Sequence, residues 1–161
     1  VVPLFLKQMR EKKPITITEP EMTRFLLPLK EAIHLVGFAL QNGQQGDIFV
    51  RNAPSGSVGD LAQALKNIFS SDSEIKIIGV RHGEKMHETM CPADGSHLTL
   101  EFDDHFVITP TIQFNSFVDF TVNKLNEKGQ AVKQGFEYHS GTNSHFLNIE
   151  EITVLNNIAG F

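Results

Sequence analysis

The chain lacks the features that mark several classes of protein. A single cysteine, Cys91, in 161 residues rules out an internal disulfide framework and fits a reducing compartment. No apolar run approaches the ~18 residues of a membrane helix and no signal peptide opens the chain, so a cytoplasmic protein without membrane insertion is expected. Positive charge is sparse and scattered. The 14 Lys and Arg stand against 19 Asp and Glu, a formal net charge of −5, and form no basic stripe to follow a nucleic-acid backbone. Phosphate loops are lacking too: GxxxxGK[ST] occurs nowhere, and GSVGD (56–60), without the GxGxxG spacing, reads as a turn and a helix cap. A starting Met is also absent. VVPLFLKQMREKK has helical spacing from its first residues, with Pro3 in the first turn, and the natural N-cap would precede Val1. A piece of a longer protein is expected.

What the chain does have is 40% apolar residues, enough to bury ~70% of its unfolded surface in one globular unit. After the first helix, PITIT (14–18) alternates like a short strand, EPEMT turns, and RFLL (24–27) is extended again. Leu29, Ala32, Ile33, Val36 and Leu40 predict a helix ending at Asn42-Gly43, where a left-handed backbone is expected. Leu35, Phe38 and Ala39 on its other face predict that it is covered on two sides. The strand DIFVR (47–51), a helix from Val58 capped by Ser57, and the strand IKIIGV (75–80) then suggest a parallel pair with a right-handed crossover. Between 91 and 135, FNSFVDF and NEKGQAVKQG show no decisive period. Asn148 and Glu151 suit a capped last helix with apolar Ile149, Ile152, Leu155 and Ile158.

The stretch GVRHGEKMHETMC (79–91) allows three chemistries. His87, Glu88 and Cys91 have the spacing of a zinc-peptidase helix, but Cys in the second ligand position departs from that motif and no third ligand stands out. Ser, His and Asp are present without a nucleophile elbow, which leaves acyl-transfer catalysis without support. A phosphate grip fits better. Arg81 begins where a strand ends, at the edge where ligands of such sheets bind; Gly83 allows the backbone to turn, and Glu84 can accept from a ribose diol. Arg24 is a candidate second cation for a diphosphate, against the alternative that either Arg is spent on a salt bridge.

Taken together, VVPLF, PITITEPEMTRFLL, GDIFVRNAP, DLAQAL, IIGVRHGEKMHET and EYHSGTNSHFLNIEEI resemble the carboxyl-terminal half of the UDP-N-acetylglucosamine 4,6-dehydratases (5-inverting). These are extended short-chain dehydrogenases/reductases of bacterial capsule and O-antigen synthesis. The likeness is dense over 1–90, thin over 91–135 and clear again over 136–152. It implies an α/β fold, a small parallel sheet with flanking helices and no Rossmann half. It also implies a UDP-sugar-binding subdomain over 1–90, a connecting or lid segment over 91–135, and a carboxyl-terminal tail and helix over 136–161.

By the same resemblance Arg24 and Arg81 hold the pyrophosphate of a UDP-sugar, Glu84 meets the uridine ribose, and Pro3 and Thr18 border the uracil and sugar. His87 stands where relatives often carry Tyr, so its ring shape matters more than its nitrogens and the metal reading gives way. In the family, NAD or NADP bound by an amino-terminal Rossmann half oxidises C4 of the sugar, water leaves across C5 and C6, and hydride returns to C6 with inversion at C5. Expected partners are therefore a UDP-sugar, that Rossmann half and further copies of the protein. This chain alone is expected to be catalytically silent. A UDP-sugar 4-epimerase would use much the same clamp, and a non-catalytic UDP-sugar-binding module or remnant would share the sequence. One departure stands out: relatives have a Tyr/Arg-rich stretch where this chain reads DDHFVITPTIQFN (103–115).

Overall fold

The computed structural model describes residues 1–112 and 119–159, without the side chains of 157–159. Residues 114–118 of FNSFVDF and the side chain of Ile158 therefore lie outside the described residues. By contacts the chain forms two units from interleaved segments: 1–26, 54–88 and 140–161 make the first, and 27–53 with 89–139 the second.

The first unit is helices packed around two small sheets. Helix α1 (Val2–Arg10) starts with Pro3 in its first turn and buries Phe5 and Met9, while Val1 and Leu4 on its outward side stay exposed. Gln8 fastens it to strand β1 (Ile15–Ile17), donating to Thr16 Oγ1 at 2.8 Å and accepting from the Thr16 amide at 3.1 Å. Strand β2 (Thr23–Phe25) pairs antiparallel with β4 (Ser55–Ser57), and β1 pairs parallel with β5 (Ile75–Ile77), Ile15 opposite Ile75. Helix α3 (Val58–Ile68) is held at its start by Ser57, whose Oγ accepts from the Asp60 amide at 2.9 Å. Its apolar stripe, Val58, Leu61, Ala62 and Leu65, lies in one core with Phe5, Ile15, Ile17, Met22, Leu147 and Ile152. Ile152 comes from α4 (Ile149–Ala159), whose start is closed reciprocally: the Glu151 amide donates to Asn148 Oδ1 at 3.0 Å and the Asn148 amide to Glu151 Oε2 at 2.9 Å. Burying side chains of this size contributes about 1.5–3 kcal/mol each, so the three helices of this core hold one another in place.

The second unit is a helix and a four-stranded antiparallel sheet. Helix α2 (Leu29–Asn42) leads into β3 (Ile48–Arg51), and the sheet continues with β8 (His105–Ile108), β7 (Thr99–Glu101) and β9 (Gln130–Ala131) in the order β3-β8-β7-β9. A separate pair joins β6 (Thr89–Cys91) to β10 (Tyr138–His139). Tyr138 is buried, and its hydroxyl donates to the Ala53 carbonyl at 2.7 Å and accepts from the Ala53 amide at 2.8 Å.

Three sequence expectations change. The parallel partner of β5 is β1 rather than 47–51, and β3 instead pairs antiparallel with β8, Ile48 opposite Ile108. Gly43 closes α2 with φ −68°, not left-handed; a Cβ there would stand 2.6 Å from the Ala39 carbonyl oxygen, so close approach is what requires glycine. Among the described residues only one face of α2 is covered. Leu29, Ile33, Val36 and Leu40 are 75%, 59%, 61% and 82% exposed.

Candidate functional site

Because β1 and β5 run parallel, they end on one edge, and the Ile78 amide extends the ladder by donating to the Ile17 carbonyl at 2.8 Å. Thr18 leaves this edge from β1, and Gly79 to Arg81 leave it from β5. The second segment turns at once. Gly79 and Gly83 have φ of +81° and +80°, a region side chains avoid. The Glu84 amide donates to the Arg81 carbonyl at 3.1 Å, and Glu84 Oε2 accepts from the Arg81 amide at 3.3 Å. Arg81 is exposed, and among the described residues its guanidinium has no hydrogen-bond or ion-pair partner. A guanidinium displayed on a turn that its own backbone closes is a free cation at a strand edge.

Arg24 has a different environment. It lies on β2, largely buried, and its guanidinium donates to the carbonyls of Lys85 at 3.1 Å, Met86 at 3.3 Å and Thr23 at 2.7 Å. The Thr23 amide donates to the same Met86 carbonyl at 3.0 Å. Arg24 Nε lies 3.6 Å from Glu88 Oε1, and a terminal nitrogen points at Met22 Sδ at 3.8 Å, which also accepts from the Thr18 hydroxyl at 3.0 Å. Arg24 thus binds the end of the segment that begins with Arg81. Neutral carbonyls leave its charge in place, and Glu88 offsets it only across a half-exposed pair.

The structure therefore gathers Arg24, Thr18 and the 81–88 segment into one hydrogen-bonded set, with Glu84 inside the turn. Pro3 stands outside that set, exposed in the first turn of α1.

Sequence reasoning missed the hydroxyl pair beneath this set. Thr23 and Ser140 are buried, with Oγ1 and Oγ 2.7 Å apart. Ser140 Oγ accepts from the Glu88 amide at 2.8 Å, and the Ser140 amide donates to the Glu88 carbonyl at 2.8 Å. His87 Nδ1 lies 2.8 Å from Thr23 Oγ1. The 85–88 backbone is thus fastened from two sides, by residues 117 positions apart. The one available signal was the run EYHSGTNSH, which the resemblance marked without saying what Ser140 touches.

HETMC is not helical: 86–87 form a bend and Thr89–Cys91 the strand β6, so the turn-to-turn geometry of a zinc-peptidase helix is not formed. Cys91 is buried and its thiol is pushed up to about 11 by that burial. Among the described residues no group of three His, Cys, Asp or Glu is arranged to hold a metal ion, and no helix is long and apolar enough to cross a membrane.

A second polar cluster occupies the other unit. Arg51 pairs with Glu31 at 3.1 Å and with Asp104, whose Oδ1 lies 2.7 Å from His105 Nδ1. Burial would raise the Asp104 carboxyl, but the His105 hydrogen bond and the Arg51 charge outweigh it and hold it below the ordinary range. His105 is stacked on Phe102, with ring centres 4.9 Å apart. In the 103–115 stretch, the described part thus supplies an aromatic-packed imidazole instead of an arginine.

Residues 1–110 match the family model described as "Polysaccharide biosynthesis protein". The chain belongs to that family. A UDP-N-acetylglucosamine 4,6-dehydratase (inverting) of Campylobacter jejuni subsp. jejuni serotype O:2 is 41% identical over 164 residues, covering 100% of this chain and 48% of the relative. A UDP-glucose 4-epimerase of Rickettsia canadensis is 37% identical over 155 residues, covering 96% of this chain and 44% of the relative. The X-ray structure of Pen from Bacillus thuringiensis superposes with a TM-score of 0.78 at 27% identity, over 99% of this chain and 46% of that one. This family member thus spans about half the length of the curated relatives it matches. Its mixed α/β architecture, a small parallel pair with flanking helices, agrees with the expected fold class.

Proposed function

We propose that this chain is the substrate-holding portion of a nucleotide-sugar dehydratase of bacterial surface polysaccharide synthesis, working in the cytoplasm on UDP-N-acetylglucosamine. The observation that carries the reading is Arg24 anchoring the 85–88 backbone, so that the turn bearing Arg81 and Glu84 stands at the carboxyl edge of β1 and β5. In this reading Arg81 forks onto the pyrophosphate, and Arg24 fixes the turn and adds its charge from beneath. Glu84 accepts from the ribose, with Thr18 beside the sugar. Pro3 borders the uracil only if the bound nucleotide extends as far as α1.

NAD or NADP, held by the Rossmann half of the full-length enzyme, would supply the redox chemistry. For the residues of this chain the task is then to use the distant UDP to hold the hexose in position, binding energy converted into orientation. Dimers or larger rings are the expected assembly.

The relatives named UDP-N-acetylglucosamine 4,6-dehydratase support this choice of reaction. UDP-glucose 4-epimerase is the second reading, favoured by the relatives of that name at 37% identity. Titrating UDP and UDP-N-acetylglucosamine against the chain and its Arg81→Ala variant tests the clamp. Losing a charge-assisted hydrogen bond worth about 1.5–3 kcal/mol is expected to weaken binding roughly tenfold or more. Equal affinity would remove Arg81 from the site. Product analysis with the complete protein separates dehydration, which loses water, from epimerisation, which does not.

A further inference from the structure

Helix α2 and strand β3 are consecutive in sequence and tied together by the Glu31–Arg51 pair, yet both are bare on one side. Leu29, Ile33, Val36 and Leu40 follow the i, i+4, i+7, i+11 spacing that puts four aliphatic side chains in one row, and all four face solvent in the chain by itself. An ordinary surface helix turns such a row inward. Beside the row, Val36, Ala39, Leu40, Gly43 and Phe49 line an open hollow of about 450 Å³. Strand β3 ends the sheet: β8 takes one edge, and no described strand takes the other. That edge has neither proline nor lysine, and Ile48 is exposed on it; its protection is a length of four residues and the charge of Arg51 at its end.

A bare edge strand joined to a helix with a bare apolar row has the form of the margin of a helix-on-sheet layer, where both layers continue in another segment. Each of these features would be a liability in a finished monomer.

We infer that this α2–β3 margin is the docking surface for the half of the family's length that this chain does not span. The occupant is an α/β segment that covers the α2 row with apolar side chains and adds backbone pairing along β3. The relatives carry such a segment's length: this chain matches 48% of the dehydratase relative and 44% of the epimerase relative, so each has a comparable length beyond it. The inference rests on the proposed reading for the identity of that half, and it names the surface that receives it. A second copy of this chain is the competing occupant.

The test uses single-cysteine labelling, for which the chain is suited because its one native thiol, Cys91, is buried. Ile33→Cys and Leu40→Cys variants, with Lys133→Cys as an exposed control in the same unit, are prepared in two forms. One is the chain as it stands. The other is the chain fused behind the first half of the Campylobacter jejuni dehydratase. Maleimide labelling at the two row positions is expected to be fast in the chain, which sediments as a monomer, and at least tenfold slower in the fused polypeptide, with the control fast in both. Equal labelling of the row in both forms overturns the inference. So does slow labelling in the chain alone accompanied by sedimentation as a dimer, which assigns the row to a second copy.

As a second measurement, Ile33→Glu with Leu40→Glu is expected to leave the melting temperature of the chain unchanged and to restore fast labelling of a Val36→Cys site in the fused form. Unchanged protection there also overturns the inference. Titrating UDP-N-acetylglucosamine into the fused form keeps the two readings apart. A protected row without nucleotide binding removes the proposed function and leaves the surface, and binding with an open row does the reverse.

Discussion

At the scale of single residues, the site is a division of labour between two arginines. Arg24 spends its donors on backbone carbonyls, whereas Arg81 stands exposed with no partner among the described residues. What the first provides is rigidity, and the hydroxyls beneath share that task. Ser140→Ala would leave the partly buried Glu88 amide and the buried Thr23 hydroxyl one partner short. An unmade buried hydrogen bond costs about 1–3 kcal/mol, so a loss of that order is expected in urea unfolding, together with weaker UDP-sugar binding. Thr23→Ser keeps the hydroxyl and is expected to cost much less than Ser140→Ala in the same measurement. The two arginines and Glu84 were legible in MTRF and RHGEK, because motif spacing carries their types. Thr23 and Ser140 were not, since short polar side chains are ordinary everywhere and their meeting 117 residues apart leaves no periodic trace.

At the scale of elements, legibility followed range. The four α-helices among the described residues could be read in advance, because apolar periodicity and caps such as Ser57 and the Asn148–Glu151 pair are local. Strand partnership could not. The strands here are two to four residues long, and pairing that short carries little sequence signal about which strand lies alongside, so β5 was matched to β3 when its neighbour is β1. The end of α2 shows the same limit in miniature: the position of Gly43 was right and its cause was not. Packing against Ala39 demands the missing side chain, so Gly43→Ala is expected to destabilise the chain by about 1–3 kcal/mol through overpacking, read as a lower denaturant midpoint with unchanged slope. If a left-handed backbone were the reason, Asn would be tolerated at 43. The observed φ of −68° implies that it is not.

At the scale of the whole molecule, the interleaving of the two units sets what can be removed. The first unit draws its core from three separated stretches, and Leu147 and Ile152 from the last of them are buried against α3 and β1 residues. Deleting residues 147–161 is expected to abolish cooperative unfolding of that unit, because two large side chains leave at once and each truncation to a cavity costs about 2–5 kcal/mol. Circular dichroism melts of the shortened chain check this. The 27–53 and 89–139 stretches, which make up the other unit, are left whole by the deletion.

Synthesis order then follows from where α4 lies. As the polypeptide emerges from the ribosome, Phe5, Ile15 and Leu65 are made well before α4 (Ile149–Ala159), the helix that seals them. Until then the nascent chain carries an open apolar cleft. Folding of the part that would hold the nucleotide therefore waits for α4, and chaperones that bind greasy, half-built surfaces have the interval before it emerges in which to meet that part.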